Sequence, residues 1–264
     1  MTRTELAACN NAVWCDTMRR AHGAAGEFVD GLWRNPQASP PFHPNLVTLR
    51  VSQDPGVALD HARRLLASKL AGRWGIKDSF CTLELAELGF ETVVDASWLW
   101  REPTRHAPVS LAPAALPMRW EQITSPAALA DWEALWSGVP APVDHDGRRA
   151  QFPVSLLAER DVVFLGGFVG PMQVAGAILN RTDRVVGLSN VFASAEVEAA
   201  AWTGFVRSAE LAFPDAPLVG WEQGRSLDLA RACGFEPVGQ LRVWLRRSDP
   251  CETVSYSKLP RKRH

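Results

Sequence analysis

Tyrosine is almost missing from this chain: Tyr256 stands alone among 264 residues, against 11 tryptophans and 11 phenylalanines. A tyrosine general acid is thereby removed from nearly every position. Also missing is any apolar run of about 18 residues, the length of a membrane-crossing helix. The apolar 47% is therefore available for buried cores. Bulk charge is missing too, since the net of −1 gives no electrostatic argument for nucleic acid or an anionic membrane. The basic "KLPRKRH" at the end is the exception, and it reads as a solvated terminus. The 5 cysteines, Cys9, Cys15, Cys81, Cys233 and Cys251, are odd in number and form no CxxC pair. That argues against a disulfide frame and against a zinc site. The opening "MTRTELAACNNAVWCDTMRR" lacks a signal peptide's apolar core and reads as an amphipathic helix, so a reducing cytoplasm is expected. No GxSxG, Walker loop or HExxH occurs, which leaves hydrolase, nucleotide kinase and zincin chemistry without support.

What is present is a regular alternation, clearest in the second half. "MRWEQI" reads as a strand, and Ser125-Pro126 opens the helix "SPAALADWEALWSG" with a capping serine and an N-terminal proline. After a loop, "DVVFLGGFVG", "QVAGAILNRT" and "RVVGLSNVFA" read as three strands separated by turn signals. "SAEVEAAAWTGFVRSAELAF" is expected to be a helix with Ser194 as N-cap. "APLVGWEQ" is a buried-type strand, "RSLDLARACGF" a short helix ending at Gly234, and "EPVGQLRVWLRR" a last strand. The first half gives a similar series from Asn45: strand "NLVTLRVS", helix "DPGVALDHARRLLASKLAG", strand "RWGIKDSF", helix "TLELAELGF", strand "ETVVDASWLWR". Gly-Phe-Glu closes the helix in both series, at Gly89-Phe90-Glu91 and Gly234-Phe235-Glu236. The expected organisation is an α/β (α+β) fold of two related units, each a mixed twisted sheet flanked by helices. Residues 1–101 would be a truncated unit with an N-terminal helix and 102–117 a proline-rich linker. Residues 118–250 would be the second unit, and 251–264 a basic tail.

From Met118 to Arg247 this order resembles the GCN5-related N-acetyltransferase (GNAT) superfamily, on "LSNVFAS" entering a long helix, then "LVGWE", then "LARACGFEPVG". The resemblance implies a strand and helix that hold acyl-CoA, by the backbone of Asn190, Val191, Phe192 and Ala193 and by the helix N-terminus. Two features depart from the family's pattern. Its Q/R-x-x-G-x-G/A loop is replaced by "VFASAEVEAAAW", with Glu196 and Glu198 in place of glycines. The position of its usual tyrosine acid is Ala230. In the first half "QDPGVA" does fit Q-x-x-G-x-A, with Gln53 and Gly56 at the defining positions, although a capped Pro-Gly turn explains the same residues.

Glu222 ends a strand where open α/β sheets place ligands, and is the candidate base toward an amine. Asp78, within "IKDSF", is the corresponding candidate of the first half. Trp221 could line a substrate pocket, and Asp144, His145 and Asp146 form a charged triplet in an acceptor-side loop. That triplet lacks a further ligand, so no metal is expected. The expected activity is acyl transfer to an amine or hydroxyl of a small molecule. The donor would be acetyl-CoA, another acyl-CoA, or phosphopantetheine on an acyl carrier protein, the last suiting a site that lacks glycines. The alternative is a GNAT-like binding or partner protein without catalysis.

Overall fold

A computed structural model describes residues 1–40, 43–51, 56–68, 70, 74–103, 118–138 and 150–247. The chain forms two compact units: Met1–Trp98 together with the segment from Pro237 onward, and Leu99–Glu236.

In the first unit, α1 (Arg3–Ala21) starts at a capping box, Thr2 accepting from the Glu5 amide while Glu5 accepts from the Thr2 amide. The strands are β1 (Glu27–Val29), β2 (Leu32–Arg34), β3 (Leu46–Thr48), β4 (Gly75–Asp78) and β5 (Phe90–Arg101). With β11 (Glu236–Arg246) they lie in the order β1-β2-β3-β4-β11-β5. Asp30 and Gly31, at φ 52° and 74°, make the tight β1–β2 turn that a two-residue hairpin demands. β3 and β4 run parallel, joined through α2 (Gly56–Ala67), while β4 and β11 run antiparallel. One face packs Leu46, Trp74 and Ile76 against Ala58, Ala62 and Leu65 of α2. The other packs Val47 and Leu49 against Ala12 and Cys15 of α1.

In the second unit β6 (Arg119–Gln122), β7 (Val162–Val169), β8 (Met172–Arg181) and β9 (Val186–Ala193) form an antiparallel meander. β10 (Leu218–Glu222) joins β9 in parallel, and the end of β5 lies beyond it. α3 (Pro126–Ser137) begins at Ser125, whose hydroxyl accepts from the Ala128 amide, as the serine-proline start predicts. α4 (Glu198–Ala212) lays Ala201, Trp202, Phe205 and Ala209 on Leu179, Val186, Leu188 and Leu218. Truncating a fully buried aromatic such as Phe205 costs about 3–5 kcal/mol. α5 (Gly224–Ala232) follows β10 at once.

The two Gly-Phe-Glu triplets do the same physical work. Gly89 and Gly234 have φ of 84° and 86°, left-handed values that favour glycine. Phe90 N–H bonds to Leu85 C=O and Gly89 N–H to Ala86 C=O. Phe235 N–H bonds to Ala230 C=O and Gly234 N–H to Arg231 C=O. Both are the double bond of a Schellman stop, which then drives the phenylalanine into the core.

Three expectations change. The segment before Gly89 is a 3-10 turn, Ala86–Leu88, in place of a helix over 82–90, because Asp78 holds the Leu83 amide and leaves too few residues for an α-helical nucleus. Ser194 is not the cap of α4: its amide bonds to Val174 C=O, keeping it on the sheet, and Val197 stands at the N-cap. The hairpin β1–β2 is an addition to the expected elements, although Asp-Gly between Phe28-Val29 and Leu32-Trp33 is its signal.

A candidate acyl-donor cleft

The site is built where β9 and β10 part. They pair only at Val186–Leu218 and Gly187–Val219, although β9 runs on to Ala193 and β10 to Glu222. Gly220 marks the last close approach, since a Cβ there would stand 2.9 Å from the Leu188 carbonyl oxygen. Beyond it β9 bends away. Its register with β8 jumps from Ile178–Ser189 to Gly176–Phe192, so Asn190 and Val191 stand opposite Ala177 alone. This is a β-bulge, and Asn190 takes the left-handed φ of 52° that asparagine tolerates. A wedge results, with the backbone of 189–193 as one wall and the end of β10 as the other.

Glu222 closes β10 on that wedge and is 7% exposed. Trp221 beside it is half-buried. The Ser189 hydroxyl oxygen is buried and finds no hydrogen-bond partner among the described residues. Val197 gives α4 no side-chain cap, so its first amides keep the positive end of the helix dipole at the same end of the sheet as the wedge. Gln223 likewise leaves α5 uncapped. Glu198 does not stand as a bare charge there, because Arg225 Nε donates to its Oε2 at 2.8 Å. Glu196 is exposed.

Phe192 turns to the other face of β9 and stacks edge-on against Trp132, with centroids 5.1 Å apart. Gly176 on β8 leaves the room for both rings. Ala230, where the resemblance expects a tyrosine, is fully buried in the core. Cys233 is buried there too, and desolvation raises its thiol pKa above the ordinary value, which leaves it a core residue rather than a nucleophile.

The candidates of the first unit fall differently. Gly56 is the first residue of α2, while Gln53 lies outside the described residues. Asp144, His145 and Asp146 lie outside them as well. Asp78 is fully buried, and its carboxylate accepts from the amides of Leu83 at 2.8 Å and Phe80 at 3.3 Å. Burial raises its pKa while those amides oppose the rise. Ser189, Gly220 and Arg225 were missed from sequence, and only an asparagine set among apolar strand residues hinted at the bulge. No group of three or more His, Cys, Asp or Glu among the described residues could hold a metal. Among them, too, no helix is long and apolar enough to cross a membrane.

No family model and no curated protein matches this sequence. Solved structures do match its shape. A conserved protein of unknown function from Staphylococcus epidermidis superposes with a TM-score of 0.59 at 12% identity, over 86% of this chain and 95% of that one. A GCN5-related N-acetyltransferase from Kribbella flavida gives 0.55 at 14% identity, over 92% and 96%. A GNAT-family protein from Novosphingobium aromaticivorans gives 0.51 at 15% identity, over 93% and 99%. With its mixed sheets, flanking helices and parting parallel strands, this chain has the fold of the GCN5-related N-acetyltransferases.

Proposed function

We propose that the protein is an acyltransferase that moves an acyl group from a pantetheine thioester to an amine or hydroxyl of a small molecule. The observation that carries this reading is the wedge between β9 and β10, with its bulge at Asn190 and Glu222 on its rim. A thioester bound there would supply an activated acyl carbon. The residues of the cleft suit that ligand. Backbone groups of 190–193, released from β10, can pair with an extended amide-bearing arm, as an added strand would. The uncapped first turn of α4 can receive an anionic group. Glu222 would take the proton of an attacking amine on a carboxylate oxygen, a role worth about 10²–10⁴ in rate.

Donors on CoA and on an acyl carrier protein share that pantetheine arm, and the acidic Glu196 favours the carrier. The four described cysteines are all free, which suits a reducing compartment such as the cytoplasm. The competing reading is a ligand-binding protein that has lost catalysis. Its support is Ala230, since no tyrosine acid can work from that buried position.

Thermal unfolding with CoA, acetyl-CoA and phosphopantetheine tests the donor site. A ligand at a hundred times its Kd should stabilise by ~2.7 kcal/mol. Thiol release from acetyl-CoA across an amine panel then separates transfer from binding. A melting shift without thiol release would favour the binding protein, and no shift with any of the three would overturn the acyltransferase.

A further inference from the structure

The first unit carries a built cavity of 270 Å³ that the acyl-transfer reading does not use. Its walls include Asp30, Thr48, Arg50, Val57 and Leu83. We propose that it is a binding site for a free α-amino acid with an apolar side chain, whose ammonium meets Asp30 and whose carboxylate meets Arg50.

The acidic end is held with unusual care for a surface turn. His61, 3% exposed on α2, stands with Nε2 3.2 Å from Asp30 Oδ2 and Nδ1 3.0 Å from Arg34 Nη1. Arginine can only donate, so Nδ1 accepts and Nε2–H donates to Asp30. Arg34 is in turn fixed by Glu27, through Nη2 at 2.8 Å and Nε at 3.2 Å. The Asp-Gly turn itself asks only for left-handed backbone at both positions, which asparagine or glycine in place of Asp30 would serve as well. The chain Glu27–Arg34–His61–Asp30 therefore does something that the turn does not require: it aims one carboxylate. Only Oδ2 of that carboxylate is engaged by His61, and the side chain is 58% exposed at the cavity.

The basic end lies close by. The Arg50 stem runs past Gly31, with its Cβ 3.9 Å from where a Gly31 Cβ would be, and the Leu49 amide bonds to Gly31 C=O at 2.9 Å. Arg50 makes no ion pair among the described residues. The two charges of an α-amino acid are separated by a single carbon, which matches an acid and a base presented from adjoining backbone. Also on the cavity wall, the Thr48 hydroxyl accepts from the Ser79 amide at 2.7 Å, which leaves its own hydrogen to donate. Val51 and Val57, apolar yet 62% and 36% exposed at the rim, are the surface that an apolar side chain would cover.

Calorimetric titration of the full chain with L-leucine, leucinamide and N-acetyl-leucine tests the assignment. Leucine should bind, and each blocked form should bind at least 10-fold more weakly. Asp30→Asn, which keeps a residue suited to the turn, should weaken leucine at least 10-fold, and Arg50→Met should do the same. Melting temperatures of both variants should stay at the wild-type value. No heat with leucine, equal affinity for N-acetyl-leucine, or leucine binding unchanged in both variants would overturn the site. None of these titrations contains a thioester, so their failure leaves the acyl-transfer reading untouched, and the converse holds.

Discussion

In the first unit β3 and β4 meet in parallel at Leu46–Ile76 and Val47–Lys77; in the second, β9 and β10 meet at Val186–Leu218 and Gly187–Val219. Each pair is joined by a helix, and each is only two residues deep. Beyond those paired residues the units differ. Past Val47 the first unit stitches its strand ends together: Ser79 N–H bonds to the Thr48 hydroxyl, Trp98 Nε1 to Ser79 C=O, and Asp78 to the amides of Phe80 and Leu83. Past Gly187 the second unit bulges at Asn190 and parts. The first therefore commits Asp78 and Thr48 to loop closure, while the second ends β10 on the buried Glu222 where its strands have parted. The same strand-helix-strand connection thus closes its strand ends in one unit and parts them in the other, and the acidic residues there tell the two apart.

The sharpest way to break this contrast is to exchange the roles of the two acids. Glu222→Gln should lower the rate of thioester consumption by about 10²–10⁴. Asp78→Asn should leave the rate within about twofold, because that side chain is occupied by backbone. A rate loss in Asp78→Asn at an unchanged melting temperature, with an active Glu222→Gln, would invert the comparison.

The next effect is on acid stability, and it belongs to the first unit. Burial, with Lys77, His22 and Arg19 nearby, lowers the His43 pKa from 6.5 to about 3. Between those values the unfolded chain holds a proton that the folded one does not. Stability therefore falls as pH falls through that window, by up to ~1.4 kcal/mol per pH unit. From about pH 6.5 to 4.5 the loss should reach about 2–3 kcal/mol. His43→Gln should flatten the curve there, measured by urea unfolding at each pH. An identical slope in the variant would mean that other groups carry the acid sensitivity.

A smaller effect tests the stitching itself. Thr48→Val removes the acceptor of the buried Ser79 amide at nearly constant volume and should cost about 1–3 kcal/mol. Hydrogen exchange at Ser79 should quicken with it. A neutral substitution would show that the strand ends hold together by packing alone.

Much of this was legible because it is local. The Gly-Phe-Glu stops, the serine-proline start of α3 and the strands β7, β8 and β9 each arise from short-range chemistry, and each stands where expected. What escaped is which partner a polar side chain finds once the chain has folded. Nothing around Asp78 announces that it will cap its own loop in the interior. Nothing around Glu198 announces Arg225, 27 residues on. The hairpin β1–β2 is the exception, since its Asp-Gly turn is a local signal.

The Glu198–Arg225 pair sets the smallest and most exacting test of the cleft. Read alone, Glu198 in the first turn of α4 would repel an anion, by about 1 kcal/mol for a charge about 4 Å away in water. Arg225 cancels part of that cost, but its side chain is 70% exposed, so the pair adds only about 0.2–1 kcal/mol to folding. Arg225→Ala should therefore barely move the melting temperature of the free protein. It should weaken CoA several-fold, by uncovering the carboxylate beside the helix end, and leave phosphopantetheine less affected, because that ligand lacks the pyrophosphate. Glu198→Gln in the same background should restore CoA. If Arg225→Ala weakens both ligands equally, Arg225 acts by packing α5 and not by screening Glu198. A thioester on a carrier protein would then be no better suited to this cleft than one on CoA.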